Sequence, residues 1–215
     1  MTEALRAEAA RDDRWDALAA IVLALSAVLS AWCAYQSTRW SGEQADAYAQ
    51  SSALRADAAR HGTAASRQMQ IDVSSFLGWS SAYSSADRQL TEFLRARFRP
   101  EFAVAFEAWV ATQPSVGVAP EGTPFDMPEY VVTEQEQSNA LVAQADVALA
   151  DAQRYNQIAD DFVLVAVVFA TVLFVAGIAS RFKQRRIKGG LSLLAAALFV
   201  AGMVAEFLLP QNFSI

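Results

Sequence analysis

The chain has 215 residues, 54% of them hydrophobic, and a formal net charge of −6. Its apolar residues gather in three blocks, which excludes an ordinary soluble domain as the first reading, and its acidity argues against nucleic acid as a partner. One cysteine and one histidine leave no disulfide framework within a chain and no transition-metal ligand set.

Residues 1–16, with Arg6, Arg11 and Arg14, read as a cytoplasmic N-terminal segment. The first block, Ala17 to Tyr35, runs nineteen residues without a charge. That is close to the ~20 residues a helix needs to cross a hydrocarbon core of about 30 Å, so 17–38 is assigned as transmembrane helix 1. Trp15 at its inner end, and Trp32, Tyr35 and Trp40 at its outer end, are placed as interfacial anchors, with Arg39 able to snorkel to headgroups. Cys33 reads as a small buried residue. Trp32 before it speaks against a lipoprotein signal, and Ala31-Trp32-Cys33 is a poor cleavage site.

Residues 39–160 read as an exported helical domain. The alanine-rich stretch after the first span lets that helix continue outward, with Ser41-Gly42 and His61-Gly62 as the places to break. Met69, Val73, Phe76, Tyr83, Leu90 and Leu94 step as one helical face, interrupted by Ser80 and Asp87, and read as a packing seam. Ser84 or Ser85 is the expected cap in WSSAYSSAD. Pro100 ends one helix and opens the next, on which Phe102, Phe106, Trp109 and Val110 share a face. Arg95, Arg97 and Arg99 crowd the preceding turn as ion-paired or solvated groups, or as an anion site. Residues 113–130 hold four prolines and read as an extended connection whose Phe125, Met127 and Tyr130 tuck onto the helices. Thr133 and Glu136 form a capping-box pattern, and Leu141, Ala145, Ala148, Ala152 and Tyr155 mark the face of a helix running straight into the second span. His61 reads as a solvated helix-end residue.

Transmembrane helix 2 is assigned to 161–180 and transmembrane helix 3 to 190–209, with 210–215 as a tail. Between them, 181–189 forms a short loop carrying Arg181, Lys183, Arg185, Arg186 and Lys188, with the only two lysines of the chain. Short basic loops stay in the cytoplasm, and these cations also suit anionic headgroups. Both the loop and the N-terminus are therefore expected inside, and 39–160 outside, where nine arginines face sixteen acids. The fold class expected is all-α: three transmembrane helices with a helical extramembrane domain between the first and second. The implied location is a bacterial cytoplasmic (inner) membrane.

The elements AWCAYQSTRWSGEQA (residues 31–45) and PFDMPEY (124–130), with YNQIADDFVL before the second span, resemble those of a bacterial three-span membrane protein family of unassigned function. The resemblance covers nearly the whole chain and supports the architecture; it carries over no activity.

No catalytic signature is present, so no catalytic, cofactor-binding or metal residues are assigned, and an enzyme is not expected. Glu206, shallow in the third span, sits at the same membrane face as Arg39, Asp160 and Asp161. These residues read either as a helix-locking pair, Glu206 with Arg39, or as an acidic collar attracting cations in an oligomer. The pair is preferred because the spans show no further polar file. Small residues four apart (Ser26, Ser30, Ala34 and Ala27, Ala31 in span 1; Ala197, Ala201, Ala205 in span 3) permit close helix approach. The function expected is an oligomeric assembly or partner-binding protein, the alternative an oligomeric cation channel or transporter subunit. Partners are membrane lipids, further copies of the chain, and a periplasmic or membrane protein.

Overall fold

A computed structural model describes residues 2–112, 121–182 and 184–213, with the backbone alone for 2–16, 18 and 185. All described regular structure is helical: α1 (Thr2–Ser84), α2 (Arg88–Arg95), α3 (Pro100–Ala111), a 3₁₀ turn (Pro124–Asp126), α4 (Thr133–Ala179) and α5 (Arg185–Leu208). Three of these, α1, α4 and α5, are long and apolar enough to cross a membrane. The chain divides into two compact units, residues 1–49 with 148–215, and residues 50–147.

In the first unit, α1, α4 and α5 pack around Cys33, Phe162, Val165 and Phe169, and around Val22, Val172, Ala176 and Ala195. The buried positions of α5, Ser192, Ala195, Gly202 and Glu206, recur at heptad-like spacing. The polarity of this unit is inverted relative to a water-soluble bundle. Ser26, Gln36, Ser192 and Glu206 are buried, whereas Val28, Leu164, Phe174 and Phe207 are 63–79% exposed or, for Val28, 66%. Such a surface suits a lipid solvent, in which large apolar side chains face outward without cost. Of the small-residue ladders, only Ser26 turns fully inward; Ala27, Ala31, Ala34, Ala197 and Ala201 lie on the outside.

In the second unit, α1 and α4 run antiparallel at close range. Ser51 Oγ donates to the Ala145 carbonyl and Ser138 Oγ to the Ala58 carbonyl, both at 2.9 Å. Gly62 is part of this approach, since a Cβ there would lie 3.3 Å from Ser138 Oγ. Helix α1 continues outward past Ser41-Gly42 and His61-Gly62, the two places that offered a break, because a glycine costs a helix interior only about 1 kcal/mol and the packing around Gly62 favours it. On the α4 face read from its spacing, Ala145, Ala148 and Ala152 are buried and Leu141 and Tyr155 half-buried, and α4 continues without interruption to Ala179.

Several boundaries differ from the sequence expectation. The cap after α1 is Asp87, whose side chain accepts from the Leu90 amide; Ser84 and Ser85 turn their hydroxyls back to the Ser81 carbonyl. Thr133 is the first residue of α4, because the Val132 carbonyl already accepts from Gln135 and Glu136. Proline does open α3 at Pro100. Of the 113–130 connection, residues 113–120 lie outside those described. Past them the chain turns at Gly122, whose φ of 70° favours glycine, into the 3₁₀ turn. Thr123 donates both its amide and its hydroxyl to Asp126 Oδ2, which holds that carboxyl below the usual range.

Gly202 of α5 admits the Phe169 ring so closely that an added Cβ would lie 3.0 Å from it. Gly202→Ala should therefore destabilise the first unit by about 1–3 kcal/mol through overpacking. Gly177→Ala, at a site with open space, should be neutral or stabilising. Thermal unfolding of the two variants in detergent checks the pair.

Candidate functional site

In the first unit, polar residues of the AYQSTRWSGEQ stretch hold the segment that follows α5. Trp32, Gln36, Trp40 and Glu43 fall on one side of α1. The Trp32 indole donates to Gln211 Oε1 and the Trp40 indole to the Pro210 carbonyl, both at 3.1 Å. The fully buried Gln36 accepts the Asn212 amide at 2.9 Å, and Asn212 Nδ2 reaches Glu43 Oε1 at 3.3 Å. Gln211 Nε2 closes the loop on the Glu206 carbonyl. Trp32 and Trp40, expected as interfacial anchors, thus spend their N–H groups on this segment. Tyr35 is exposed with its ring 5.6 Å from that of Trp32. The side chain of Trp15 lies outside the described residues.

Glu206 is buried, and its Oε2 has no hydrogen-bond partner among the described residues. The ion pairs among the described residues include none between Glu206 and Arg39. Asp160 is exposed and accepts from Asn156 Nδ2, while Asp161 is half-buried. Ser26 Oγ, Gln36 Nε2 and Ser192 Oγ are also buried without a hydrogen-bond partner among the described residues. In the basic loop, Arg181 and Arg186 are exposed and Lys188 is half-buried. Lys183 and the Arg185 side chain lie outside the described residues. Helix α5 begins at Arg185, so three cations occupy a helix start, where the dipole disfavours each by about 0.3–1 kcal/mol. The helix alone gives no reason for them there.

In the second unit the centre is a buried carboxylate. Asp72 is 1% exposed and receives Arg99 Nη2 at 2.8 Å, Arg99 Nε at 3.3 Å and the Tyr130 hydroxyl at 3.1 Å. Arg99 also pairs with Glu101. Asp72 thereby ties α1 to the start of α3 and to the end of the PFDMPEY element. Around it, Phe98, Phe102, Phe106 and Trp109 form a core onto which Phe125, Met127 and Tyr130 pack, as expected, together with Phe76 and Trp79. The seam read from Met69, Val73, Tyr83 and Leu90 is corrected: all four are exposed, and the inward face of α1 is Ala65, Asp72, Phe76, Trp79 and Ala82. A charged residue inside the true seam shifted the apparent one. Burial and the Asp72 carboxylate push the Tyr130 phenol up to about 12, and the same carboxylate raises the Arg99 guanidinium further.

The remaining arginines of that turn are also engaged. Arg95 makes a bidentate pair with Glu107 at 2.6 Å, and Arg97 lies 3.5 Å over the Phe93 ring. His61 is corrected from a helix end to a helix interior, where its Nδ1 meets Glu134. Beside the aromatic core a cleft of about 490 Å³ opens between the end of α1, α2 and α3. Among the described residues, no group of three or more His, Cys, Asp or Glu side chains is placed to hold a metal ion.

Comparison of the chain with family models, curated proteins and solved structures finds no match.

Removing the Asp72 charge leaves Arg99 and Tyr130 facing a buried neutral group. Asp72→Asn should lower stability by about 3 kcal/mol, measured by denaturant unfolding of the detergent-solubilised chain. A phenol raised above its ordinary value of about 10 favours folding below that value and loses the contribution as pH rises toward 12. Absorbance at 295 nm should show a tyrosine component titrating near pH 12 that is missing in Tyr130→Phe.

Proposed function

We propose that the chain is a bacterial inner-membrane protein that presents its 50–147 unit outside the cytoplasm for assembly with further copies of itself. The positive-inside bias of residues 181–189 supports the orientation, with the N-terminus inside and 39–160 outside. The observation that carries the assembly reading lies in the second unit. Met69, Val73 and Leu77, four residues apart on α1, are 42%, 41% and 62% exposed there, on a helix face left open by the described residues. Leu90 and Phe93 of α2 are similarly open. Exposed apolar residues in a helical row are what a protein interface needs, and self-association is the economical way for a membrane protein to cover them.

Two measurements test this reading. In mild detergent the particle mass should correspond to more than one chain, and Val73→Glu with Leu77→Glu should return it to a single chain with unchanged helicity. A wild-type monomer at micromolar concentration overturns the assembly reading, and a multimer that survives the double substitution places its interface elsewhere. For orientation, Ala53→Cys should react with an impermeant maleimide in intact cells and Lys188→Cys only after lysis; the reverse pattern overturns it. Native Cys33 is buried and adds little background.

A further inference from the structure

Helix α2 buries none of its residues fully, and its two sides differ in what they face. Its polar residues Arg88, Thr91, Glu92 and Arg95 follow i, i+3, i+4, i+7 spacing and line the 490 Å³ cleft, while Leu90 and Phe93 stand exposed on its other side. The opposite walls are aromatic. Trp79 and Tyr83 stack on each other with centroids 5.2 Å apart, Phe106 meets Trp79 edge-on at 4.7 Å, and Trp109 and Val110 complete the lining. The volume lies within the ~300–1,000 Å³ typical of small-molecule sites, which combine apolar walls with a few convergent polar groups.

Charge narrows the ligand. Arg95 is already neutralised by Glu107 and held 5.8 Å from the Phe106 centroid. Arg88 enters no ion pair among the described residues, so it is the guanidinium with charge to offer. Glu92, four residues on, opposes any ligand with a second negative group nearby. We propose that this cleft binds a small organic monoanion, a planar aromatic body carrying one carboxylate, with its ring against Trp79, Tyr83 and Phe106 and its carboxylate toward Arg88. The site lies outside the apolar spans and is independent of the exposed α1 row invoked for assembly.

Calorimetric titration of the full chain in lipid nanodiscs, with empty nanodiscs as the blank, tests it using three probes of one shape: 2-naphthylacetate, 2-naphthylacetamide and 2-(2-naphthyl)ethylamine. The acetate should bind about tenfold more tightly than the amide through its charge-assisted bond, and the amine more weakly than both. Arg88→Gln should erase the acetate's advantage while leaving the amide unchanged, and Glu92→Gln should enlarge it. Thr91→Trp, which fills the cleft from α2, should abolish binding of all three with helicity retained. Preference for the amine, no saturable binding of any probe, or binding that survives Thr91→Trp overturns the proposal. Should Thr91→Trp misfold, the Arg88→Gln and Glu92→Gln results decide.

Discussion

Close approach between α1 and α4 is the constraint on which the structure depends. Helices this long have little end-capping relative to their length and must be held along their flanks. In the second unit the α1–α4 contact is built on small side chains, Ser51 against Ala145 and Ala58 and Gly62 against Ser138, while in the first Cys33 of α1 packs with Phe162 and Phe169 of α4. Small residues bring backbones near enough for a serine hydroxyl to bond the neighbouring helix's carbonyl, as Ser51 and Ser138 do. Bulky residues are then displaced to where space exists, such as the Phe169 ring against Gly202.

Given that packing, the two units solve opposite solvation problems. The first hides hydroxyl, amide and carboxyl groups and shows its large aliphatic and aromatic side chains, which suits lipid. The second places most of its charge outside but keeps one carboxylate, Asp72, at its centre, joined to Arg99 and the Tyr130 hydroxyl. A buried ion pair is weak evidence for stability in itself, since desolvation offsets much of the attraction. Its value here is positional: three chain segments far apart in sequence converge on one carboxylate, which fixes the register of the aromatic core around it.

How legible this was in the sequence depended on whether function and hydrophobicity pointed the same way. The apolar blocks, the Pro100 start, the Phe102–Phe106–Trp109 face and the small-residue row of α4 were readable because burial there follows apolarity. The α1 seam was not, because Asp72 holds a place that periodicity assigns to an apolar residue; the successive seven-residue steps from Ala58 to Ala65 to Asp72 were the available signal. Gly42 and Gly62 offered places to break a helix that the alanine-rich sequence let continue; packing accounts for Gly62, and nothing in the structure explains Gly42. The hold of Gln36, Trp40 and Glu43 on residues 210–212 links positions some 170 or more apart, which no local pattern encodes. The cleft sets polar residues of α2 opposite aromatic residues of α1 and α3, a juxtaposition that no local pattern encodes.

That long-range hold bears on how the chain is made. Gln36 leaves the ribosome 176 residues before Asn212, its partner. At elongation rates of about 5–20 residues per second the interval is on the order of ten to thirty seconds. Throughout it a buried amide at the edge of the first apolar block has no mate from its own chain. The final packing of the first segment therefore waits for residues 210–212.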